Sequence, residues 1–138
     1  MKTILDEIVA QKREEILEKQ KIQSIEDFKN SENFNLPVKS SKASILDESK
    51  SGIIAEFKRK SPSKGFINKD ANVKEVVSGY EKFGASVVSV LTDEQFFGGS
   101  FDDLIDAKNV LNIPILRKDF IVDEYQVYET KAIGADLM

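Results

Sequence analysis

The chain of 138 residues is 41% hydrophobic and 32% charged, an ordinary composition for a single globular domain. Its net charge of −4 argues against a general nucleic-acid-binding protein, because such proteins usually carry an excess of basic residues. Cysteine is absent, which excludes a disulfide framework and a thiolate zinc site. Histidine is absent too, so any proton transfer must use Lys, Glu, Asp or Tyr.

The hydropathy pattern points away from membranes. No apolar run is long enough for a transmembrane helix, and residues 1–20 are rich in Glu and Lys without the apolar core of a signal peptide. The lack of cysteine is compatible with the reducing cytosol. We therefore expect a cytoplasmic protein with no membrane partner and no nucleic-acid partner.

Residues 1–50 are predicted to form a helical extension. An amphipathic helix is indicated by apolar residues at near-helical spacing, with charged residues between them: Ile4, Leu5, Ile8, Val9 and Ile16. A second, short helix is predicted to begin at Ser24, because Glu26 and Asp27 occupy its first turn. Residues 30–50 are rich in Ser, Asn and Lys, which is typical of a connector with a turn or two of helix.

From residue 51 onwards, short apolar runs alternate with helical patterns. Strands are predicted over 53–58, 86–92 and 114–118, because these runs are short and apolar. Helices are predicted over 72–83, 101–111 and 123–133, with Gly84 and Gly134 as stop signals after the first and the last. Loops are predicted at 61–65 and 96–100, and a fourth strand is predicted to begin at Ala135.

Recurring strand–loop–helix units indicate an α/β fold with a parallel sheet covered by helices. The pattern alone leaves open both a (β/α)8 barrel and a doubly wound open sheet. A complete barrel needs at least ~200 residues. If the fold is a barrel, residues 51–138 are therefore expected to form only its first half, truncated after about three βα units and the start of a fourth strand.

Glu56 and Lys58 form the first candidate site. Side chains alternate along a strand, so these two share one face while Phe57 points to the other. Because barrel enzymes place their active sites at the carboxyl ends of the strands, an acid and a base would meet at that rim. The alternative is an ordinary strand-end ion pair that faces solvent.

Residues 96–100, Phe-Phe-Gly-Gly-Ser, form the second candidate. Two aromatic residues followed by two glycines at a strand exit suit a loop that presents a ring to a ligand. A loop whose Phe packs beneath a helix is an equally good interpretation, since exposed aromatic residues usually find a core. Gly98 and Gly99 alone are too weak a signal for a phosphate cradle.

Leu116, Lys118 and Phe120 share a face by alternation and form the third candidate. A lysine between two apolar side chains on an inward face would be desolvated, and desolvation of an ammonium group favours release of its proton. Such a lysine suits general acid catalysis. The alternative is a structural lysine that pairs with Asp119 or Glu56.

Together these segments resemble the indole-3-glycerol-phosphate synthase family over essentially the whole chain. The matching segments are residues 4–9 (ILDEIV) with 12–15 (KREE), 55–65 (AEFKRKSPSKG), 89–94 (SVLTDE) with 97–100 (FGGS), and 114–122 (PILRKDFIV). Three long strand-end motifs in the same order are far more specific than any one of them. The resemblance implies a (β/α)8 barrel, the TIM barrel, that acts as a lyase of tryptophan biosynthesis without cofactor or metal.

The reaction implied by the resemblance closes the indole ring of 1-(2-carboxyphenylamino)-1-deoxyribulose 5-phosphate, with release of carbon dioxide and water. By position in the motifs, Lys118 resembles the general acid and Glu56 the carboxylate that orients the lysines. Lys58 resembles the cation that holds the anionic substrate and takes part in proton transfer.

Four further residues resemble the family's substrate-binding positions. Ser61 and Pro62 correspond to part of a substrate-binding loop. Phe97 and Phe120 correspond to walls of the pocket for the aromatic ring.

The expected partners are a phosphorylated small-molecule substrate and a C-terminal half of the barrel. In the family, a second catalytic glutamate and most of the phosphate site come from later strands, so we expect negligible turnover from this chain alone. One alternative is a non-catalytic half-barrel that self-associates through open strand edges and an exposed apolar face. Another is a different phosphosugar barrel enzyme of the same pathway, against which the motifs around Glu56 and Lys118 argue.

Overall fold

The computed structural model describes residues 2–138 and begins with a helical segment. Helix α1 (Ile4–Ile22) is followed by α2 (Ile25–Lys29), a 3-10 helix (Glu32–Asn35) and α3 (Ser41–Ile45). Helices α1 and α2 each begin with a capping box, in which the side chain of each residue bonds to the backbone amide of the other. The pairs are Thr3 with Asp6 and Ser24 with Asp27. Both predicted helices are present. No helix in the described part of the chain is both long and apolar enough to cross a membrane.

Three parallel strands form the central sheet: β1 (Ile54–Phe57), β4 (Val87–Leu91) and β5 (Ile115–Lys118), in that spatial order. Helices α4 (Val73–Lys82), α6 (Phe101–Val110) and α7 (Tyr125–Ala132) follow these strands in turn. Beyond β5, Leu137 forms a parallel bridge with Leu116, which continues the same order. The predicted α/β fold is confirmed, and neighbouring parallel strands in chain order are the arrangement of a (β/α)8 barrel.

Two segments predicted as loops contain short regular elements. Residues 61–65 lie in an antiparallel hairpin of β2 (Lys60–Ser61) and β3 (Gly65–Phe66). The segment 96–100 begins inside α5 (Glu94–Phe97). The loop prediction is therefore wrong for Phe96 and Phe97. The physical reason is the side chain of Asp93, which accepts the amides of both residues and starts a helical turn.

Two glycines fix how the chain leaves α5. Gly98 has a φ of 62°, the left-handed conformation that ends a helix. Gly99 lies against the end of β4, where an added Cβ atom would come 2.1 Å from the carbonyl oxygen of Leu91. Because a side chain does not fit in that gap, Gly99 allows the chain to turn closely past β4 into α6.

The sheet has two faces of different chemistry. Four of its side chains belong to the main hydrophobic core beneath the helices: Phe57, Val88, Val90 and Ile115. Alternation sends their strand neighbours to the opposite side, where Glu56, Ser89 and Leu116 are in register across the three strands. This opposite side is the inner face, which corresponds to the interior of a barrel.

Candidate active site

Glu56 and Lys58 lie on the inner face at the carboxyl end of β1. The Nζ atom of Lys58 is 3.1 Å from Oε1 of Glu56, and 37% and 33% of the two side chains are exposed. Phe57, between them, is buried in the core on the other face. The shared face is therefore observed, and so is the ion pair that the sequence left as an alternative. Because the pair is partly exposed, both groups remain accessible to a ligand.

Lys118 is the last residue of β5 and is in register with Leu91 of β4. Its side chain is exposed, so the desolvation predicted between Leu116 and Phe120 is not observed. The prediction is wrong because an inward direction alone does not bury a side chain, and the neighbouring Leu116 and Phe120 do not enclose Lys118.

The partners predicted for a structural Lys118 are engaged elsewhere. Asp119 contacts Lys12 and Arg117, and Glu56 contacts Lys58. Within residues 2–138, the ammonium group of Lys118 takes part in no ion pair. A cation that extends a strand on the inner face without a carboxylate partner is free to meet an anionic ligand.

Phe97 and Phe120 come together at the same rim. Phe97 is the last residue of α5, after β4, and Phe120 follows β5. Their ring centroids are 5.9 Å apart with an angle of 41° between the planes, and both side chains are partly buried. The two predicted walls of an aromatic pocket are thus neighbours, although they lie far apart in the sequence.

Ser61 and Pro62 lie in the hairpin that follows β1. The hydroxyl of Ser61 accepts the amide of Lys64 at 3.3 Å, and Pro62 is exposed. Lys60 ties the hairpin to α5, because its Nζ donates to the carbonyl of Gln95 at 2.7 Å. In the described part of the chain, no hydrogen bond joins Ser61 to the three charged residues of the inner face.

A second group of charges lies beneath α1. The Nζ atom of Lys12 is 3.1 Å from the carboxylates of both Asp93 and Asp119, and 2.8 Å from that of Glu15. The Lys12 side chain is only 2% exposed. Asp93 follows β4 after Thr92, and Asp119 follows β5 directly. One lysine of α1 therefore joins the carboxyl ends of two neighbouring strands.

Arg117 continues this group on the helix-facing side of β5. Its guanidinium lies 3.2 Å from Asp119 and 2.8 Å from Glu129 of α7. It also donates to the hydroxyls of Thr92 and Thr130, so each of its nitrogens has a partner. Five residues make up the buried charge cluster: Lys12, Asp93, Arg117, Asp119 and Glu129.

Attraction between opposite charges outweighs desolvation in the buried charge cluster. Burial opposes the charged form of Lys12, yet the carboxylates of Asp119, Glu15 and Asp93 raise its pKa above the ordinary value. Burial likewise opposes ionisation of Asp119, yet Lys12 and Arg117 lower the pKa of that carboxyl. Lys12 and Asp119 are therefore both charged at neutral pH.

The same carboxylates hold the segments that carry the aromatic rings. Asp93 accepts the amides of Phe96 at 2.8 Å and Phe97 at 3.3 Å. Asp119 accepts the amide of Phe120 at 2.8 Å. The buried charge cluster thus fixes the backbone from which Phe97 and Phe120 project.

The sequence pattern did not predict the buried charge cluster. Lys12 falls among the charged residues between the apolar positions of α1. Lys12 nevertheless lies four residues after Ile8 and four before Ile16, both of which are buried. That spacing on one helix face was the available signal of its burial, but it does not identify the aspartates with which Lys12 pairs.

The inner face brings two ammonium groups, one carboxylate and two aromatic rings to one rim. Such a set suits an anionic ligand that carries an aromatic ring. A free ammonium group can donate a proton, and a carboxylate beside it can orient it. In the part of the chain that the structure describes, no group of three or more acidic, His or Cys side chains is arranged to hold a metal ion.

Several known proteins similar to this chain carry the same name. The family model for indole-3-glycerol phosphate synthase matches residues 5–138. A protein of that name from Bacteroides thetaiotaomicron is 53% identical over 137 residues, which cover 99% of this chain and 52% of the relative. Another from Prochlorococcus marinus subsp. pastoris is 48% identical over 136 residues, covering 98% and 46%. A third, from Thermoanaerobacter pseudethanolicus, is 42% identical over 139 residues, covering 96% and 50%.

These matches show the family and also how much of each relative the chain covers. The chain spans about half the length of the curated relatives it matches. The family model begins in α1 and continues through all three strands to Met138 beyond them. The chain therefore belongs to the indole-3-glycerol phosphate synthase family of (β/α)8 barrels.

Proposed function

We propose that this chain forms the N-terminal half of an indole-3-glycerol phosphate synthase, with residues 1–50 as a helical extension and 51–138 as the first half of the barrel. The enzyme is a carbon–carbon lyase that converts 1-(2-carboxyphenylamino)-1-deoxyribulose 5-phosphate to indole-3-glycerol phosphate, carbon dioxide and water. One observation carries the proposal: Glu56, Lys58 and Lys118 converge on one rim of the inner face.

Lys118 is the general acid in this proposal. It protonates the ketone oxygen of the substrate while the aromatic ring attacks the carbonyl carbon that bears this oxygen. Its place at the carboxyl end of β5 supports this role, because ligands of barrel enzymes bind at that end. Its lack of an ion-pair partner in residues 2–138 leaves the ammonium group free to approach an oxygen of the substrate.

Lys58 holds the anionic substrate and takes part in proton transfer, and Glu56 orients the lysines. The contact of 3.1 Å between these two side chains supports the orienting role. Their partial exposure supports access by a substrate. Ring closure with loss of carbon dioxide needs cations and a proton donor at fixed positions, which a rigid strand end supplies.

Phe97 and Phe120 flank the aromatic ring of the substrate, and Ser61 and Pro62 contribute to the loop that covers it. The distance of 5.9 Å between the ring centroids supports the first assignment. The link from Lys60 to α5 supports the second, since it holds the hairpin beside Phe97. None of these steps requires a cofactor.

A second candidate is a non-catalytic form of the chain that associates with itself. One observation favours it: Ile53 and Phe83 are 59% and 84% exposed, and both line an apolar hollow along the open edge of β1. Exposed apolar surface beside an unpaired strand edge promotes association.

The test uses three samples: the chain alone, the complete relative from Bacteroides thetaiotaomicron, and a chimera. The chimera joins residues 1–138 to the part of that relative that the chain does not cover. Formation of indole-3-glycerol phosphate is measured for each, with circular dichroism to verify folding and light scattering to report association. We expect turnover from the chimera and from the relative, and negligible turnover from the chain alone.

Two results would contradict the proposal. Robust turnover by the 138-residue chain alone would refute the need for a second half. A folded chimera that is inactive, beside an active relative, would refute the assignment of the inner face as a catalytic site.

A further inference from the structure

Ser89 lies in the middle of β4, and neither the core nor the proposed catalytic roles use its hydroxyl group. The residue is 3% exposed, and its Oγ atom has no hydrogen-bond partner among the described residues. Native proteins usually satisfy buried polar atoms, because an unpaired one loses its hydrogen bonds to water without replacement. The unpaired hydroxyl of Ser89 is therefore expected to form a hydrogen bond in another state of the enzyme.

The position of Ser89 distinguishes it from the other buried side-chain polar atoms without hydrogen bonds among residues 2–138. Those atoms are Oγ of Ser31, in the N-terminal segment, and Oε2 of Glu129, which is 2.8 Å from Arg117 in an ion pair. Ser89 alone of the three lies on the inner face, because its strand neighbours Val88 and Val90 point into the core beneath the helices.

The neighbours of Ser89 on the inner face offer one polar partner. Val87 and Leu91 lie below and above it on β4, and Leu116 is in register on β5. Glu56 is in register on β1. Adjacent strands are about 4.8 Å apart, so a serine hydroxyl and a glutamate on the same face can meet by rotation of their side chains.

We propose that Ser89 is a positioning residue whose hydroxyl donates a hydrogen bond to Glu56 in the substrate-bound enzyme. Lys58 contacts Oε1 of Glu56 at 3.1 Å, which leaves Oε2 for the hydroxyl. With one oxygen held by an ammonium group and the other by a hydroxyl, the carboxylate has a single orientation relative to Lys58 and Lys118. This inference rests on the proposed function, because it assigns Ser89 to the same reaction.

The test compares substitutions of Ser89 in the chimera. We expect Ser89→Ala to lower kcat about tenfold, the effect of losing a hydrogen bond to a charged group. KM is expected to stay within about twofold, since the hydroxyl does not touch the substrate. The urea midpoint is not expected to fall, because Oγ has no partner in the folded chain to lose.

Two substitutions of equal size separate the effect of the hydroxyl from the effect of side-chain shape. Threonine and valine add the same bulk, but only threonine keeps a hydroxyl. We expect Ser89→Thr to retain at least about threefold more kcat than Ser89→Val. Ser86→Ala serves as a matched control, because the buried Oγ of Ser86 accepts the amide of Gly52 at 2.9 Å. It is expected to lower the urea midpoint while kcat stays unchanged.

Three results would overturn the inference. Equal kcat for Ser89→Ala and the unsubstituted chimera would show that the hydroxyl does not act. Equal losses for the threonine and valine variants would show that only packing matters. A folded chimera without any activity would instead overturn the proposed function, and the role of Ser89 with it.

Discussion

Arg117 and Lys118 are adjacent residues of β5, yet their charges have opposite surroundings. Arg117 points towards the helices, has a side chain that is 1% exposed, and has a partner at each guanidinium nitrogen. Lys118 points to the inner face, is exposed, and has no ion pair within residues 2–138. Strand alternation sends the two side chains to opposite faces, and within residues 2–138 the helices cover the side that Arg117 faces. One strand therefore supplies both a structural cation and a cation free for a ligand.

The same contrast separates the two charged groups at the rim. In the buried charge cluster, carboxylates and cations pair with one another out of contact with water. On the inner face, Glu56 and Lys58 make one partly exposed pair, and Lys118 stands apart. Substitutions in the first group should thus change stability, and substitutions in the second should change activity.

The largest expected effect is on activity. Lys118→Met in the chimera is expected to lower kcat about a thousandfold, or ~4 kcal/mol of transition-state stabilisation, because the proton donor is lost. The free energy of unfolding should change by less than about 0.5 kcal/mol, since Lys118 is exposed and unpaired. Steady-state kinetics and urea unfolding measure the two quantities. Lys42→Met, at an exposed lysine of α3, is the control, and an equally large loss of kcat there would show that the effect is not specific to Lys118.

The next effect is on stability. Arg117→Met is expected to lower the free energy of unfolding by about 3 kcal/mol, because it leaves Asp119 and Glu129 buried without their shared cation. Urea unfolding of the chimera measures it, with Arg13→Met on the exposed side of α1 as a control near zero. An unchanged midpoint for Arg117→Met would show that desolvation cancels the attraction within the buried charge cluster.

The smallest expected effect is a dependence of stability on pH. The folded pKa of Asp119 lies below its ordinary value, so the unfolded chain binds a proton at a higher pH than the folded chain does. The stability that this carboxylate contributes is therefore present above about pH 4 and is lost as pH falls through the folded pKa. The expected slope is at most about 1.4 kcal/mol per pH unit for one carboxylate.

Urea midpoints of the chimera between pH 6 and pH 3 measure that slope. Asp119→Asn removes the titrating group, and Lys12→Met removes a cation that lowers its pKa. Both variants should show a shallower fall of stability with acid than the unsubstituted chimera. Parallel curves for all three proteins would mean that the buried charge cluster does not titrate in this range.

Sequence patterns predicted the order of strands and helices and the faces of β1 and β5, because these depend on local periodicity. Glu56, Lys58, Phe97 and Phe120 could be placed at one rim, since the carboxyl ends of parallel strands meet there. The burial of Lys12 could not be predicted in the same way. It depends on two aspartates that become its neighbours only when the sheet has formed.

The exposure of Lys118 and the short elements after β1 and β4 also escaped prediction. Alternation gives the direction of a side chain but not what covers it, so an inward direction did not imply burial. The helix α5 is only four residues long and owes its start to a single Asp cap, which leaves no periodic pattern to read. Ser89 looked like any β-strand serine, because its missing hydrogen bond is visible only in three dimensions.

The attachment of Lys12 to Asp93 and Asp119 sets an order of assembly. A ribosome releases α1 before Asp93 and Asp119, which follow β4 and β5. Lys12 has no strand-end carboxylate partners until β4 and β5 lie side by side. Although α1 is synthesised before these strands, Lys12 reaches both aspartates only once the strand ends are paired, so a docked α1 reports their correct pairing.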